Sequence, residues 1–281
     1  VDLFEFVRGH QMIGADFESV FGRPSRRPEN TVEQFHCDMA ASVQQVTEEA
    51  VLGLARTCRE MTGMDRLVMA GGVALNCVAN GVLDRAGVFE EVWIQPAAGD
   101  AGCSLGAALD AAVQESAARV HLTSGRDAMA GALLGPSYEP AQIAEVLESF
   151  GAAYVDCGDD IAARTAEQLA EGKVVGWFQG RMEFGPRALG ARSILGDPRS
   201  AEMQRTMNLK IKYRESFRPF APAVLESEAA DYFEVRSPSP SMLLVSPVRP
   251  ELHRGGKGTL GSINEVRSTI PAVTHVDYSA R

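Results

Sequence analysis

The sequence has 281 residues, 45% of them hydrophobic, with 27 basic against 37 acidic side chains and a formal net charge of -10. That length and apolar content suffice for a large core and point to two globular domains, while the acidic balance argues against general attraction to nucleic acid or an anionic membrane. No run of eighteen apolar residues and no signal peptide occurs. The five cysteines (Cys37, Cys58, Cys77, Cys103, Cys157) are odd in number and never spaced C-x-x-C, which predicts buried, reduced thiols in a cytoplasmic protein.

The opening "VDLFEFV" reads as the interior of a longer polypeptide, a processed or partial product. Apolar residues then recur three or four apart at Val32, Phe35, Met39, Val43, Val46, Ala50 and Leu54, the signature of an amphipathic helix. Thr31 with Gln34 offers a capping box and Gly63 a stop. "RLVMA" (66–70) follows as a buried strand, "GGVALNCVANGVLDRAG" as a turn entering a helix, "EEVWIQP" as a second strand and "AGCSLGAALDAAVQES" as a helix. After a loose segment (about 117–138) a second α/β block opens with the helix "EPAQIAEVLESFG", then the strand "AAYVDCG", the helix "DIAARTAEQLAEG", the strand "KVVGWFQG" and the helix "SAEMQRTMNLKIK". "RSPSPS" and "HRGGKGTLG" are the loop-like tracts.

Three stretches carry chemistry. In "LVMAGGVALNCVAN" a strand delivers Gly71 and Gly72 to a helix N-terminus, which fits either a tight turn or a phosphate cradle. In "QPAAGDAGCSLGAAL" the lone carboxylate Asp100 stands in a small-residue turn as a helix cap or a ligand, and Ser104 matches G-x-S-x-G without the strand that such an elbow requires. In "GWFQGRMEFGPRALGARSILGDP" (176–198) Arg181, Arg187 and Arg192 stand among five glycines, and between residues 179 and 218 nine cations face four carboxylates, a local charge of +5. Guanidinium forks on so little bulk suit a compact anion such as a phosphoryl ester. The histidines (His10, His36, His121, His253, His275) show no metal-ligand spacing, and His275 is set among polar Thr274, Asp277, Ser279 and Arg281.

With "AGGVALNCVAN", "QPAAGDAGCSLGAAL", "GRMEFGPRALGARSIL", "KYRESFRPFAPAVL" and "PAVTHVDYSAR" in this order, the chain resembles the O-carbamoyltransferases of antibiotic and nodulation-factor biosynthesis. The resemblance implies an α/β protein: a C-terminal lobe of an actin/Hsp70-like carbamoyl-transfer domain over 1–125, then a YrdC-like, carbamoyl-adenylate-forming domain over 130–281 that continues past Arg281 in the family. It further implies use of carbamoyl phosphate and ATP, transfer to a hydroxyl of a small antibiotic or glycan-type acceptor, and a divalent metal, iron in type, in the full-length protein. Carried over by motif, Gly71, Gly72 and Asn76 would hold nucleotide and Asp100 would ligate metal. Arg181, Arg187, Lys210, Lys212 and Arg218 would gather phosphates, with His275 nearby. The family's histidine metal ligands lie in an N-terminal lobe, so the 281 residues alone are expected to be catalytically incomplete. The alternatives are a tRNA threonylcarbamoylation enzyme, a hydrogenase-maturation carbamoyltransferase and a non-catalytic actin-like nucleotide-binding scaffold.

Overall fold

The computed structural model describes residues 12–27, 30–116, 127–256 and 263–281, and the chain divides into two compact units, 1–43 and 44–281. The opening heptapeptide, His10, His121 and residues 117–126 of the loose segment lie outside the described residues. In the first unit, helix α1 (Ala15–Phe21) stacks Phe17 on Phe21 with ring centroids 4.6 Å apart. Beyond it Arg23 bonds Glu33 at 2.8 Å and lies 4.8 Å from the Phe35 ring centroid. Helix α2 spans Gln34–Thr62. Its start departs from the expected Thr31–Gln34 capping box: the Glu33 N–H donates to His36 Nδ1 at 2.9 Å, an imidazole doing there what the Gln side chain was expected to do. Its end is as expected, with Gly63 at φ +65° donating to the Arg59 carbonyl.

In the second unit, β1 (Arg66–Met69) and β2 (Glu91–Ile94) pair in parallel, and helix α3 (Cys77–Ala86) makes the crossover that a parallel pair requires. Leu67, Met69 and Val92 pack with Val51, Leu52 and Ala55 of α2, Leu83 of α3, and Phe89. Val68 and Trp93, paired in register on the opposite face, remain 68% and 44% exposed, so β1 is half-buried and not the fully buried strand expected. The apolar stripe of α2 differs as well. Val43, Val46 and Leu54 are exposed, and the neighbouring stripe of Val51, Leu52 and Ala55 makes the contact. A helix carrying two adjoining apolar stripes shows its period to a reader of the sequence but not which stripe meets a partner.

Helix α4 (Asp100–Ser116) follows β2, and α5 (Pro140–Ser149), closed by a Glu139–Gln142 capping box, and α6 (Ile161–Ala170) follow in turn. Residues 152–158, expected as a strand, form no ladder, and Tyr154 and Val155 stay exposed. Among the described residues no strand edge pairs with this segment. Strands β3 (Val175–Phe178) and β4 (Arg192–Leu195) pair antiparallel and bracket the arginine-glycine loop. Helix α7 (Met203–Met207) gives way to a π turn, Asn208–Lys212, so the helix expected over 200–212 is α-helical only in its middle. Helix α8 (Ala229–Tyr232) and the antiparallel pair β5 (Ser246–Pro247) and β6 (Ser279–Ala280) complete a mixed α/β fold of small sheets.

Helix α3 is fastened to a distant part of the sequence. The fully buried Asn80 donates through Nδ2 to the carbonyls of Ala74 and Leu243 at 2.8 and 3.0 Å, and Arg85 donates to Val245 O at 2.7 Å. Ser237 bonds Asp84, and Arg236 bonds the Asp84 carbonyl. A side chain on Gly81 would collide with the Val245 carbonyl, so only glycine admits this approach. Leu243 and Leu244 thereby close the core of Ala74, Ile94 and Ala98.

Candidate anion-binding site

The C-terminal ends of parallel strands are where α/β folds commonly bind ligands, and here both carry glycine turns. Gly71, at φ +97°, donates to the Ala98 carbonyl at 2.8 Å and ties the turn after β1 to the turn after β2. A Cβ on Gly72 would meet open space. Asn76 caps α3, its Oδ1 accepting the Ala79 N–H at 3.1 Å, and pairs with Gln44 at 2.9 Å. Asp100 is the exposed first residue of α4. Ser104 lies inside α4 with its hydroxyl on the Ala101 carbonyl, so no nucleophile elbow forms. Among the described residues no group of three or more His, Cys, Asp or Glu stands together that could hold a metal ion. Nor are the cysteines uniformly buried: all five are free, and Cys58 and Cys103 are exposed.

The three guanidiniums of the arginine-glycine stretch have three different fates. Arg192 pairs with the buried Glu183 at 3.3 Å and donates to the Gly185 carbonyl at 3.1 Å. Arg181 is exposed and donates to the carbonyls of Leu133 and Leu134. Arg187 has neither: its Nε is buried without a hydrogen-bond partner among the described residues. Gly185, at φ +120°, rests against the turn after β2, where a Cβ would stand 3.1 Å from Ala97 Cβ. The arginine loop and the glycine turns therefore touch.

From the far end of the sequence one more cation, Arg281, meets Arg187. Burial lowers its pKa from the ordinary guanidinium value, the nearby Arg281 adds to this, and Cys77 at the start of α3 opposes it. Burial likewise lowers Arg214, with Arg218 and Arg281 in the same direction and Glu215 opposing. His275 is pushed below 6.5 by burial, with Asp277 acting against the shift and Arg281 with it. Arg281 is thus the common neighbour of Arg187, Arg214 and His275. Because an arginine does not give up its proton in a protein, the lowered values of Arg187 and Arg214 reflect burial first and the neighbouring guanidiniums second, both of which an anion would relieve. The fully buried Asn208 sets one side of the cluster: its Oδ1 accepts from Arg214 Nε at 2.6 Å, and its Nδ2 donates to Ser216 O at 3.0 Å and Arg218 O at 2.7 Å. Arg218 itself bonds Glu215 at 2.9 Å. Lys210 and Lys212 are exposed on the π turn without ion pairs among the described residues.

A cavity of about 570 Å³ adjoins the cluster, lined among others by Pro222, Val224, Phe233, Pro238 and Leu244, with Arg281 in its wall. It is mostly apolar and uses the "RSPSPS" tract. Of the residues singled out in the sequence, Arg187, Arg218 and His275 are thus linked through Arg281 and Arg214. Gly71, Gly72, Asn76 and Asp100 lie at the strand ends, while Arg181, Lys210 and Lys212 stand exposed. Sequence reasoning missed Glu183, Asn208 and the central position of Arg281. The one available signal was that Glu183 is an acid in the middle of a basic run.

Two family descriptions match the chain, "Carbamoyltransferase N-terminus" over residues 1–109 and "Carbamoyltransferase C-terminus" over residues 166–281. An uncharacterised protein of Synechocystis is 50% identical across 99% of the chain and 46% of its own length. Nodulation protein NolNO of Sinorhizobium fredii is 43% identical across 91% of the chain and 36% of its own, and nodulation protein NolO of Bradyrhizobium diazoefficiens 42% across 91% and 44%. The chain therefore spans less than half the length of these relatives. No helix among the described residues is long and apolar enough to cross a membrane.

Proposed function

Since the chain belongs to the carbamoyltransferase family, we propose that the cluster around Arg187, Arg214, Arg218 and Arg281 binds the phosphates of carbamoyl phosphate and ATP. The observation that carries this reading is the buried, unpartnered Arg187 Nε beside a second guanidinium. Such a group remains costly until an anion reaches it. The adjoining apolar cavity offers room for the organic part of a nucleotide whose phosphates extend to Arg281.

In this reading residues 130–281 act as the YrdC-like domain that forms carbamoyl-adenylate, and residues 1–125 as the lobe of the actin/Hsp70-like domain where transfer occurs. In the transfer step an acceptor hydroxyl oxygen bonds the carbamoyl carbon, the bond to AMP breaks with its electron pair on the phosphate, and the hydroxyl proton is released. Fixed guanidiniums stabilise the charge that collects on the departing phosphates during adenylate formation, the usual source of catalysis in such displacements. The acceptor is a small molecule with a hydroxyl group, of antibiotic or glycan type. An iron-type metal does not fit the described residues alone, because among them Asp100 belongs to no group of three or more His, Cys, Asp or Glu that could hold it.

The test is a product assay on the full-length protein with carbamoyl phosphate, ATP and a panel of hydroxyl compounds. The expected result is AMP and a carbamate ester that depend on all three substrates. AMP formed from threonine and bicarbonate in place of carbamoyl phosphate would instead place the protein with the tRNA-modifying enzymes. Nucleotide binding without turnover would leave an actin-like scaffold.

A further inference from the structure

We infer that Glu183 is the positioning residue of the anion site, holding the loop 183–192 closed on its own carboxylate so that, of the two arginines in that loop, Arg187 is the one left to join the cluster at the ligand. Its Oε1 accepts the N–H groups of Leu189 and Ala191, both at 2.7 Å, and its Oε2 accepts Arg192 Nε at 3.3 Å. All three donors lie on the loop the residue itself begins, and its side chain is completely buried, at 0% exposure. Arg192 completes the ring by donating to the Gly185 carbonyl.

Two consequences follow from this geometry. A carboxylate four residues before Arg187 would be its natural partner, yet it is engaged by three other donors and Arg187 Nε stays buried and unbonded. The same bonds occupy Arg192, so the loop presents one uncommitted guanidinium. Burial by itself would raise the Glu183 pKa, but the Ala191 and Leu189 amides and Arg192 outweigh it and hold the group below 4.5, ionised at neutral pH. The loop is thus organised before any ligand arrives, which saves ordering cost on binding.

The inference rests on the anion-site reading above, and the experiment separates the two. Inorganic phosphate is titrated calorimetrically into the intact protein, into Arg187→Ala, into Glu183→Gln and into the double variant. A glutamine keeps one acceptor oxygen for the amides but turns an N–H₂ toward Arg192, donor against donor. The expected result is a loss of affinity of about five- to tenfold in Glu183→Gln and no further loss when Arg187 is already absent, because both changes act through one contact. Equal losses in both backgrounds, or an unchanged or raised affinity in Glu183→Gln, overturn the positioning role while leaving the site. An Arg187→Ala protein that binds phosphate normally overturns both. Should Glu183→Gln fail to fold, amide exchange in the unaltered protein decides. Leu189 and Ala191 amides protected before phosphate is added support the inference, and amides that become protected only with phosphate refute it.

Discussion

Gly185 and Gly190 both sit at strongly positive φ, +120° and +113°, but only Gly185 is pressed against a neighbour. A Cβ on Gly190 would meet nothing within 4 Å, whereas one on Gly185 would stand 3.1 Å from Ala97 Cβ and 3.4 Å from Ala97 Cα. Alanine at either position incurs the backbone term, about 1–3 kcal/mol for a side chain in a region of φ that favours glycine. Gly185→Ala adds a crowding term of about 1–2 kcal/mol, since Ala97 is itself buried and part of the turn that receives Gly71. Urea denaturation should therefore place Gly185→Ala below Gly190→Ala by about 1–2 kcal/mol. Phosphate titration of the same proteins should show the larger loss of affinity for Gly185→Ala, because the loop that carries Arg187 must rise off the strand-end turns. Equal stability of the two variants would mean that Gly185 does not rest on Ala97, and the joining of arginine loop to glycine turns would fall with it.

Arg187→Ala should weaken phosphate binding by about 1.5–3 kcal/mol, the range for a hydrogen bond to a charged group; calorimetry showing no change would remove Arg187 from the site. Gly72→Val should fold with little change in melting temperature, since its Cβ meets open space, while losing nucleotide affinity; normal nucleotide binding would show that the turn is structural. Neutral His275 contributes stability that is complete above its unfolded value near 6.5 and is lost as pH falls below it toward the lower folded-state pKa. Urea midpoints from pH 7.5 to 5 should therefore fall less steeply in His275→Gln than in the unaltered protein, and parallel slopes would refute this. The full-length protein should hold a metal ion after dialysis and lose it on Asp100→Asn, whereas the 281-residue chain should hold none; elemental analysis checks both, and stoichiometric metal in the shorter chain would reveal ligands beyond Asp100.

What the sequence showed best were features decided within a few residues. The period of α2, the Gly63 stop and the two strands at 66–69 and 91–94 are all local, and each is present, whereas Gly71–Gly72 open a 3-10 turn, Gly72–Leu75, and α3 begins only at Cys77 behind Asn76. Residues 152–158 failed because β-favouring residues such as Tyr154 and Val155 show that a segment suits a sheet, not that an edge is there to receive it. The arginine stretch was visible as a concentration of charge, but the division of labour within it was not. Whether Arg181, Arg187 or Arg192 takes the nearby carboxylate depends on how ten residues wrap around Glu183. Arg281, ninety-four positions beyond Arg187, had no local signal that could place it there, and Asn208 looked like an ordinary helix residue until the π turn set it beneath Arg214.

The fastening of α3 to residues 236–245 bears on how the protein is born. The bonds from Asn80 and Arg85 to Leu243 and Val245 span 163 and 160 positions. At synthesis rates of about 5–20 residues per second, the helix waits on the order of ten to thirty seconds for its partners to leave the ribosome. During that interval the apolar floor of Ala74, Ile94 and Ala98 lacks Leu243 and Leu244 above it, and the carboxamide of Asn80 remains hydrated. That apolar surface is open to non-native contacts for the whole interval, and slow codons between these two stretches would lengthen its exposure.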